Sequence, residues 1–399
     1  MKYYILMSTK KFQLFDEVSC YCEEYSEVKK AQIIQFRNKD TQAYVHFDHE
    51  DKRLDRWINV DELSPYEAPS IVTEERVLSR RDHELLHQSS DDDSLTIDEQ
   101  KFEELHKEVT KIRNIEFITI GKHTVRTWYF SPYPKPYSNA SHLYICDHCF
   151  QYFLTEKELK DHIRETGELK PPGREIYRKD NISIFEIFGK RQKLCCQCLC
   201  LLAKMFLDHK TLFYDVEGFI FYVLCECDEE GAHLAAYFSR EINSEEGNIL
   251  ACIVALPPYQ KKGYGRLLIS LSYEIAKRQQ RSGGPERPLS DLGKIAFNSY
   301  WRDTILDLLK NYGKDLISID DLVTMTSITR DDVIDVLRSI KCVSRVKGEY
   351  ELMIQKENLA SAFAQIENGK PRNRIDPMNL IWILGDDERT DYTEIPNIN

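Results

Sequence analysis

Asn248-Ile-Leu-Ala-Cys-Ile-Val-Ala-Leu-Pro-Pro-Tyr-Gln-Lys-Lys-Gly-Tyr-Gly-Arg-Leu-Leu268 is the stretch that decides the fold. The apolar run up to Leu256 predicts a buried strand. Gly263 and Gly265 predict a tight turn, and Leu267, Leu271 and Ile275 recur at helical spacing on one face. A strand that runs through glycines into a helix presents free backbone N–H groups, and the helix dipole favours an anion there. Lys261, Lys262 and Arg266 add positive charge. Two glycines alone are weak evidence. The third glycine and the later acidic residue of a dinucleotide fingerprint are missing, so an ordinary strand–helix turn explains them as well. Downstream, Pro285-Glu-Arg-Pro-Leu-Ser-Asp-Leu-Gly293 can bring a carboxylate and a hydroxyl to the same place.

The chain around this stretch has 399 residues, room for one large or two to three ordinary domains. Its net charge of −12 argues against a protein built to coat nucleic acid and suits a basic macromolecular substrate, although the same charge also serves solubility. The 12 cysteines form no disulfide framework of a short secreted chain, and the start lacks the apolar core of a signal peptide. They read as reduced thiols of a cytosolic or nuclear protein. No apolar run approaches the roughly 18 residues that span a bilayer.

Alternation and aromatic content predict short strands over residues 1–66, a small all-β unit, with Lys30–Phe36 and Ala43–Phe47 the clearest. Residues 67–112 read as an acidic linker through Ser89–Ser94, followed by a helix from Ile97 to about Ile112 behind a Thr96/Glu99 capping box. From residue 113 the pattern is mixed α/β: strands at Phe117–Ile120, Thr124–Phe130, Ile182–Phe188, Gly218–Leu224 and His233–Phe238, with a helix over Leu199–Leu207. Asp320–Met325, a turn, Arg330–Ile340 and a hairpin across Lys347-Gly348 form a winged-helix pattern, with Thr329 and Asp332 placed as a cap. Residues 386–399 read as a frayed tail.

Several of these segments resemble the MYST histone acetyltransferases: Leu207-Asp-His-Lys-Thr-Leu-Phe-Tyr-Asp215, Tyr237-Phe-Ser-Arg-Glu241, Ala251–Gln260 with the glycine turn, and Pro288-Leu-Ser-Asp-Leu-Gly293. The similarity runs from about Arg113 to Ile340. Arg374-Ile-Asp-Pro-Met-Asn-Leu-Ile-Trp382 and Tyr44–Phe47 with Lys52–Ile58 resemble the subgroup of the nucleosome acetyltransferase of H-four. The resemblance implies a GNAT-like α/β acyltransferase core over 180–310. It also implies a C2HC-type finger over 144–170, a winged-helix part over 315–355 and a preceding chromo-barrel (Tudor-knot) domain. It implies transfer of acetyl from acetyl-CoA to lysines of core histone tails, the H-four tail foremost, by a nuclear enzyme. That enzyme would act on nucleosomes within a multisubunit complex, in transcription and DNA repair. The alternatives are a non-catalytic chromatin scaffold and a DNA-binding regulator acting through the winged helix.

Attack by a lysine amine requires loss of a proton from a group whose ordinary pKa is about 10.4. A carboxylate suits that task, and a backbone N–H suits the developing oxyanion. The resemblance places the base at Glu286 and the active-site cysteine at Cys252, either a transient acetyl carrier or a wall of the pocket; direct attack with Cys252 as wall is favoured. Without it, Glu286 would read as a solvated loop residue and Cys252 as a small buried one. It places cofactor contacts at Ile253, Val254, Ala255, Gln260, Lys261, Lys262, Gly263, Tyr264, Gly265, Arg266, Ser290 and Ser299. Lys210 matches the autoacetylated lysine, and its plain alternative is an exposed surface lysine.

Cys146, Cys149 and His162 have zinc-like spacing, but the family's fourth ligand position holds Thr166. Water, Glu165 or Asp161 would have to complete the shell, so zinc stays open. Cys195, Cys196, Cys198 and Cys200 lack the spacing of a zinc pair and read as core plus surface thiols. Arg330, Arg338, Lys341, Arg345 and Lys347 are too few for a DNA-reading face, so the winged helix reads as a wall of the substrate groove. Tyr21, Tyr25, Tyr44, Phe47 and Trp57 form either a methyl-lysine cage or, more simply, the core of a small domain.

Overall fold

The computed structural model describes residues 11–66, 112–208, 210, 213–312, 317–346, 349–352, 356–367 and 373–383. The capping box at Thr96 and Glu99, nearly all of linker 67–112, the turn at Lys347-Gly348 and the tail from 386 lie outside the described residues. The described residues form two compact units: those up to Glu116 together with Arg126–Asn139, and Phe117–Val125 together with those from Ala140 onward.

The first unit is built on β1 (Glu17–Cys22), β2 (Glu27–Arg37), β3 (Gln42–Phe47), β4 (Arg56–Asn59) and β5 (Ser64–Pro65), in sheet order β4-β3-β2-β1-β5. Alternation along β1 buries Val18, Cys20 and Cys22 against Ile33, Val45 and Phe47. Tyr44 is also buried and meets Trp57 edge to face at 5.2 Å. Tyr44 and Phe47 are therefore core. Lys29 sits over Tyr25 at 3.7 Å and Arg37 over Trp57 at 4.3 Å, so each of these rings carries a cation of the chain itself on one face.

In the second unit β6 (Phe117–Ile120), β7 (His123–Arg126), β8 (His142–Ile145) and β9 (Tyr152–Phe153) form a small sheet ordered β7-β6-β8-β9. A helix, α1 (Glu156–Thr166), follows it behind a complete capping box of Thr155 and Glu158. The main sheet is an antiparallel meander of β10 (Arg174–Lys179), β11 (Ile182–Phe188), β12 (Phe219–Asp228), β13 (Gly231–Glu241) and β14 (Ile253–Ala255). The central strands are buried almost continuously because α2 (Lys193–Lys204) packs on β11 and α3 (Tyr264–Arg278) packs on β12 and β13. The face of α3 read from its spacing is the buried one: Leu267, Leu271 and Ile275 are all core.

Cys195, Cys196, Cys198 and Cys200 are all buried, so none is a surface thiol. They lie within one helix whose apolar residues go into the core. Beyond α3, α4 (Asp291–Asn311) starts at the N-cap Ser290, whose hydroxyl accepts from the Gly293 N–H. The helices α5 (Ile319–Thr326) and α6 (Arg330–Ser339) and the hairpin of β15 (Val343–Val346) and β16 (Glu349–Leu352) complete the winged-helix pattern, and α7 (Lys356–Glu367) follows.

Candidate active site

The quoted strand is shorter than its apolar run predicts, and the reason locates the site. Only Ile253–Ala255 pair regularly with β13. At Cys252 the ladder forks. The N–H groups of both Ala251 and Cys252 turn to Ser239, the first to its carbonyl at 2.7 Å and the second to its hydroxyl at 3.3 Å. Upstream, the chain leaves β13 and pairs in parallel with the loop after α3. The Ile249 N–H donates to Gly284 O at 2.9 Å and the Glu286 N–H donates to Leu250 O at 2.8 Å. These two bonds bring Glu286 alongside a residue 36 positions earlier, Leu250. Between the arms of the fork lies a cavity of about 220 Å³, lined by Cys252, Ile253, Glu286, Ser290, Lys210 and Phe221 among others.

The edge of β14 is chemically usable. The Leu256 N–H donates to Ala235 O on β13, so by strand alternation the N–H groups of Ile253 and Ala255 point away from that neighbour. Consistent with this, the Ala255 carbonyl accepts from Gln260 Nε2 at 3.0 Å.

The glycine turn follows. Gly263 is the N-cap of α3 at φ +86°, a backbone that side chains resist, and no side chain caps the helix. The first turn of α3 carries no acidic residue. A methyl group on Gly265 would meet nothing within 4 Å, so the helix start holds an open cradle bordered by N–H groups. The three cations predicted there differ in use. Lys262 is paired with Glu226 at 2.7 Å, and Arg266 is paired with buried Asp303 at 2.6 Å and donates to Ser299 at 3.2 Å. Lys261 has no described ion pair. Arg266 and Ser299 thus join α3 to α4, and Arg266 adds its backbone N–H to the helix start.

These elements coincide with known patterns. The MOZ/SAS family matches residues 170–380, more than half of the chain. The chain belongs to the MOZ/SAS, or MYST, family. The MYST family zinc finger domain matches residues 112–165, and the Tudor-knot, described as an RNA binding activity-knot of a chromodomain, matches residues 14–65. Histone acetyltransferase of the MYST family 1 of Arabidopsis thaliana is 41% identical over 353 residues, covering 86% of this chain and 78% of its own length. Histone acetyltransferase ESA1 of Eremothecium gossypii is 37% identical over 399 residues, covering 91% of each. Histone acetyltransferase MOF of Drosophila melanogaster is 42% identical over 308 residues, covering 77% of this chain and 37% of its own.

Within this MYST fold Glu286 is exposed at the rim of the cavity. Lys210 is not the exposed lysine of the plain alternative. It is 7% exposed, with its Nζ 3.7 Å from Cys252 Sγ. Burial disfavours its ammonium, and the sulfurs of Cys252 and Cys200 more than offset that, so its pKa is raised.

In the MYST finger, Cys146, Cys149 and His162 converge, with all ligand atoms within 4.8 Å of one another. The hydrogen bond from Cys149 holds the Cys146 thiol well below its ordinary pKa, and the same bond raises that of Cys149. Two thiols and an imidazole are three donors of the right kind for zinc. Thr166 does not complete the set: its hydroxyl donates to His162 O at 3.0 Å, within its own helix. Asp161 is engaged by Arg164 at 2.5 Å.

The segment from Asn373 to Trp382 braces the glycine turn and the end of α3. Its Asn373 side chain donates to Lys262 O at 2.9 Å and fixes the glycine turn from outside. Arg278 donates to Leu380 O and Trp382 O, and Trp382 Nε1 donates to Glu186 at 3.1 Å. The motif Arg374–Trp382 was visible, but nothing in its composition pointed to the turn it supports.

Proposed function

We infer that this chain is a histone lysine acetyltransferase that uses acetyl-CoA and works in the nucleus within a multisubunit assembly acting on nucleosomal histone tails, that of H-four foremost. The observation that carries the reading is the fork at Cys252. It sets a strand edge with free N–H groups, a carboxylate and an anion cradle around one cavity. The names of the relatives, histone acetyltransferases in each case, supply the substrate class.

In this reading the pyrophosphate of coenzyme A rests on the N–H groups at the start of α3, with Lys261 beside it. Gly263 permits the turn and Gly265 leaves the room. The thioester lies along Ile253–Ala255, and an outward N–H of β14 receives the developing oxyanion. Glu286 takes the proton from the incoming lysine, and the amine attacks the thioester directly, with Cys252 as a wall of the pocket. Ser290 and Ser299 act through α4, the first as its cap and the second through Arg266. Cys146, Cys149 and His162 would hold a structural zinc whose fourth position the chain leaves to water.

A DNA-reading role for the winged helix is disfavoured by its ion pairs. Arg330 is paired with Asp320, and Arg338 with Asp335. Arg287 reaches from the Glu286 loop to buried Asp332 on α6 at 2.6 Å, which makes the winged helix a support of the catalytic loop. The test of the reading is Glu286→Gln. Removing a general base is expected to lower kcat on a histone peptide by roughly 10²–10⁴-fold with coenzyme A binding retained. Normal turnover at neutral pH in that variant would falsify the assignment.

A further inference from the structure

Away from that site, the turn joining β12 to β13 holds a second group of side chains suited to a metal. Asp228 ends β12, Glu230 stands in the turn and His233 lies on β13. Their ligand atoms lie within 4.8 Å of one another. His233 Nε2 is 2.9 Å from Asp228 Oδ1. Two donors held at right angles by one ion, each at about 2.1 Å, stand about 3.0 Å apart, so this pair already has the spacing of a shared ion. Glu230 has no ion pair among the described residues.

The histidine is also held as a metal-binding histidine is. Its Nδ1 lies 2.5 Å from Oδ2 of Asp147, a carboxylate outside the group whose side chain is only 7% exposed. Metal-ligating histidines give their second ring nitrogen to such a partner, which fixes the tautomer and aims the other nitrogen at the ion. Asp147 is itself held, with its Oδ1 3.5 Å from His148 Nε2, and His148 Nδ1 lies 3.2 Å from Ala232 O. The contact needs room that a glycine leaves. A Cβ on Gly121 would stand 2.9 Å from Asp147 Oδ2 and 3.8 Å from His233 Nδ1.

We propose that Asp228, Glu230 and His233 form a binding site for a divalent first-row metal ion, with Asp147 as the carboxylate that orients His233. One imidazole and two carboxylates suit Mn²⁺ and Zn²⁺, and the exposure of Asp228 and Glu230 leaves the remaining positions to water. On binding, the proton that His233 Nε2 shares with Asp228 is released and the ion takes its place, while Nδ1 keeps its proton toward Asp147. The finger differs in chemistry, because Cys146 and Cys149 offer soft sulfur where this site offers mostly oxygen. Asp147 lies between those two cysteines in the chain, so an ion here would tie the β12–β13 turn to the finger.

The experiment passes the full chain over a chelating resin, adds Mn²⁺ and follows the paramagnetic resonance of the free ion. A thiol-rich finger is a poor site for Mn²⁺, so the probe reports the oxygen-rich one. One bound Mn²⁺ per chain is expected. Asp147→Asn should raise its Kd by roughly 10–100-fold, and Glu230→Gln by at least as much. Glu230 is exposed, so its variant decides the matter if Asp147→Asn does not fold. Failure of the unaltered chain to take up Mn²⁺ at millimolar concentration overturns the proposal. So does uptake that Glu230→Gln leaves unchanged, which would put the ion elsewhere on the acidic surface. Because the readout is a bound ion and not turnover, the result stands apart from the acetyl-transfer reading.

Discussion

Gly265→Ala separates the ligand's share of the site from the protein's own. Gly265 lies in the first turn of α3, and a Cβ there meets nothing within 4 Å. In the ligand-free protein the substitution should stabilise, because alanine loses less backbone entropy than glycine in a helix, by roughly 0.5–1 kcal/mol. That corresponds to a rise of about 0.5–1 °C in Tm for a chain of this size. If the coenzyme A pyrophosphate sits on these N–H groups, the added methyl lies between it and the backbone. Forcing one methyl group into a filled contact costs about 1–3 kcal/mol. The expected loss of affinity is therefore roughly 5–150-fold in Kd. Thermal unfolding without ligand and calorimetric titration with coenzyme A measure the two effects on one preparation. A variant with raised Tm and unchanged Kd would refute the cradle, since the methyl would then have met no ligand.

Other consequences are independent of this one. Asp303→Ala leaves the Arg266 guanidinium without its carboxylate; the side chains of the pair are 11% and 3% exposed, so a loss of roughly 3–5 kcal/mol is expected in denaturant unfolding. Thr166→Cys should raise zinc retention against a competing chelator by supplying the missing ligand; equal retention in both proteins would mean that the fourth position does not limit binding. In the N-terminal unit His46 Nδ1 lies 2.8 Å from buried Asp55, and hydrogen bonding to that carboxylate raises the His46 pKa despite partial burial. Burial raises the pKa of Asp55 as well. For His46 the raised value favours the protonated form, so its stabilisation is present below the unfolded histidine pKa and is lost as pH rises through the folded one. Hydrogen exchange over residues 17–65 should be faster at about pH 8.5 than at about pH 6 beyond its intrinsic pH dependence, and His46→Gln should remove the excess.

Legibility followed the range of the interactions. The helix face of Leu267, Leu271 and Ile275, the cap at Thr329 and the winged-helix order depend on neighbours within a few residues, and local pattern exposes such neighbours. The aromatic set of the N-terminal unit was also read correctly as core for Tyr44 and Phe47. The role of Arg266 was not legible, because its partner Asp303 is a helix away and either residue alone looks like a surface charge. The burial of Lys210 was hidden for the same reason, since lysine is rarely core and only the packing around Cys200 and Cys252 encloses it.

For the opening stretch, the amino-acid sequence by itself determined a strand, a glycine turn and a helix start, because each follows from local backbone preference and apolar spacing. Only the tertiary structure decided that the strand forks at Cys252. One arm's hydrogen bonds go to β13 and the other's go to the loop carrying Glu286. A backbone N–H carries no side-chain signature of its partner, so a site assembled by such bonds becomes visible only when the chain is folded.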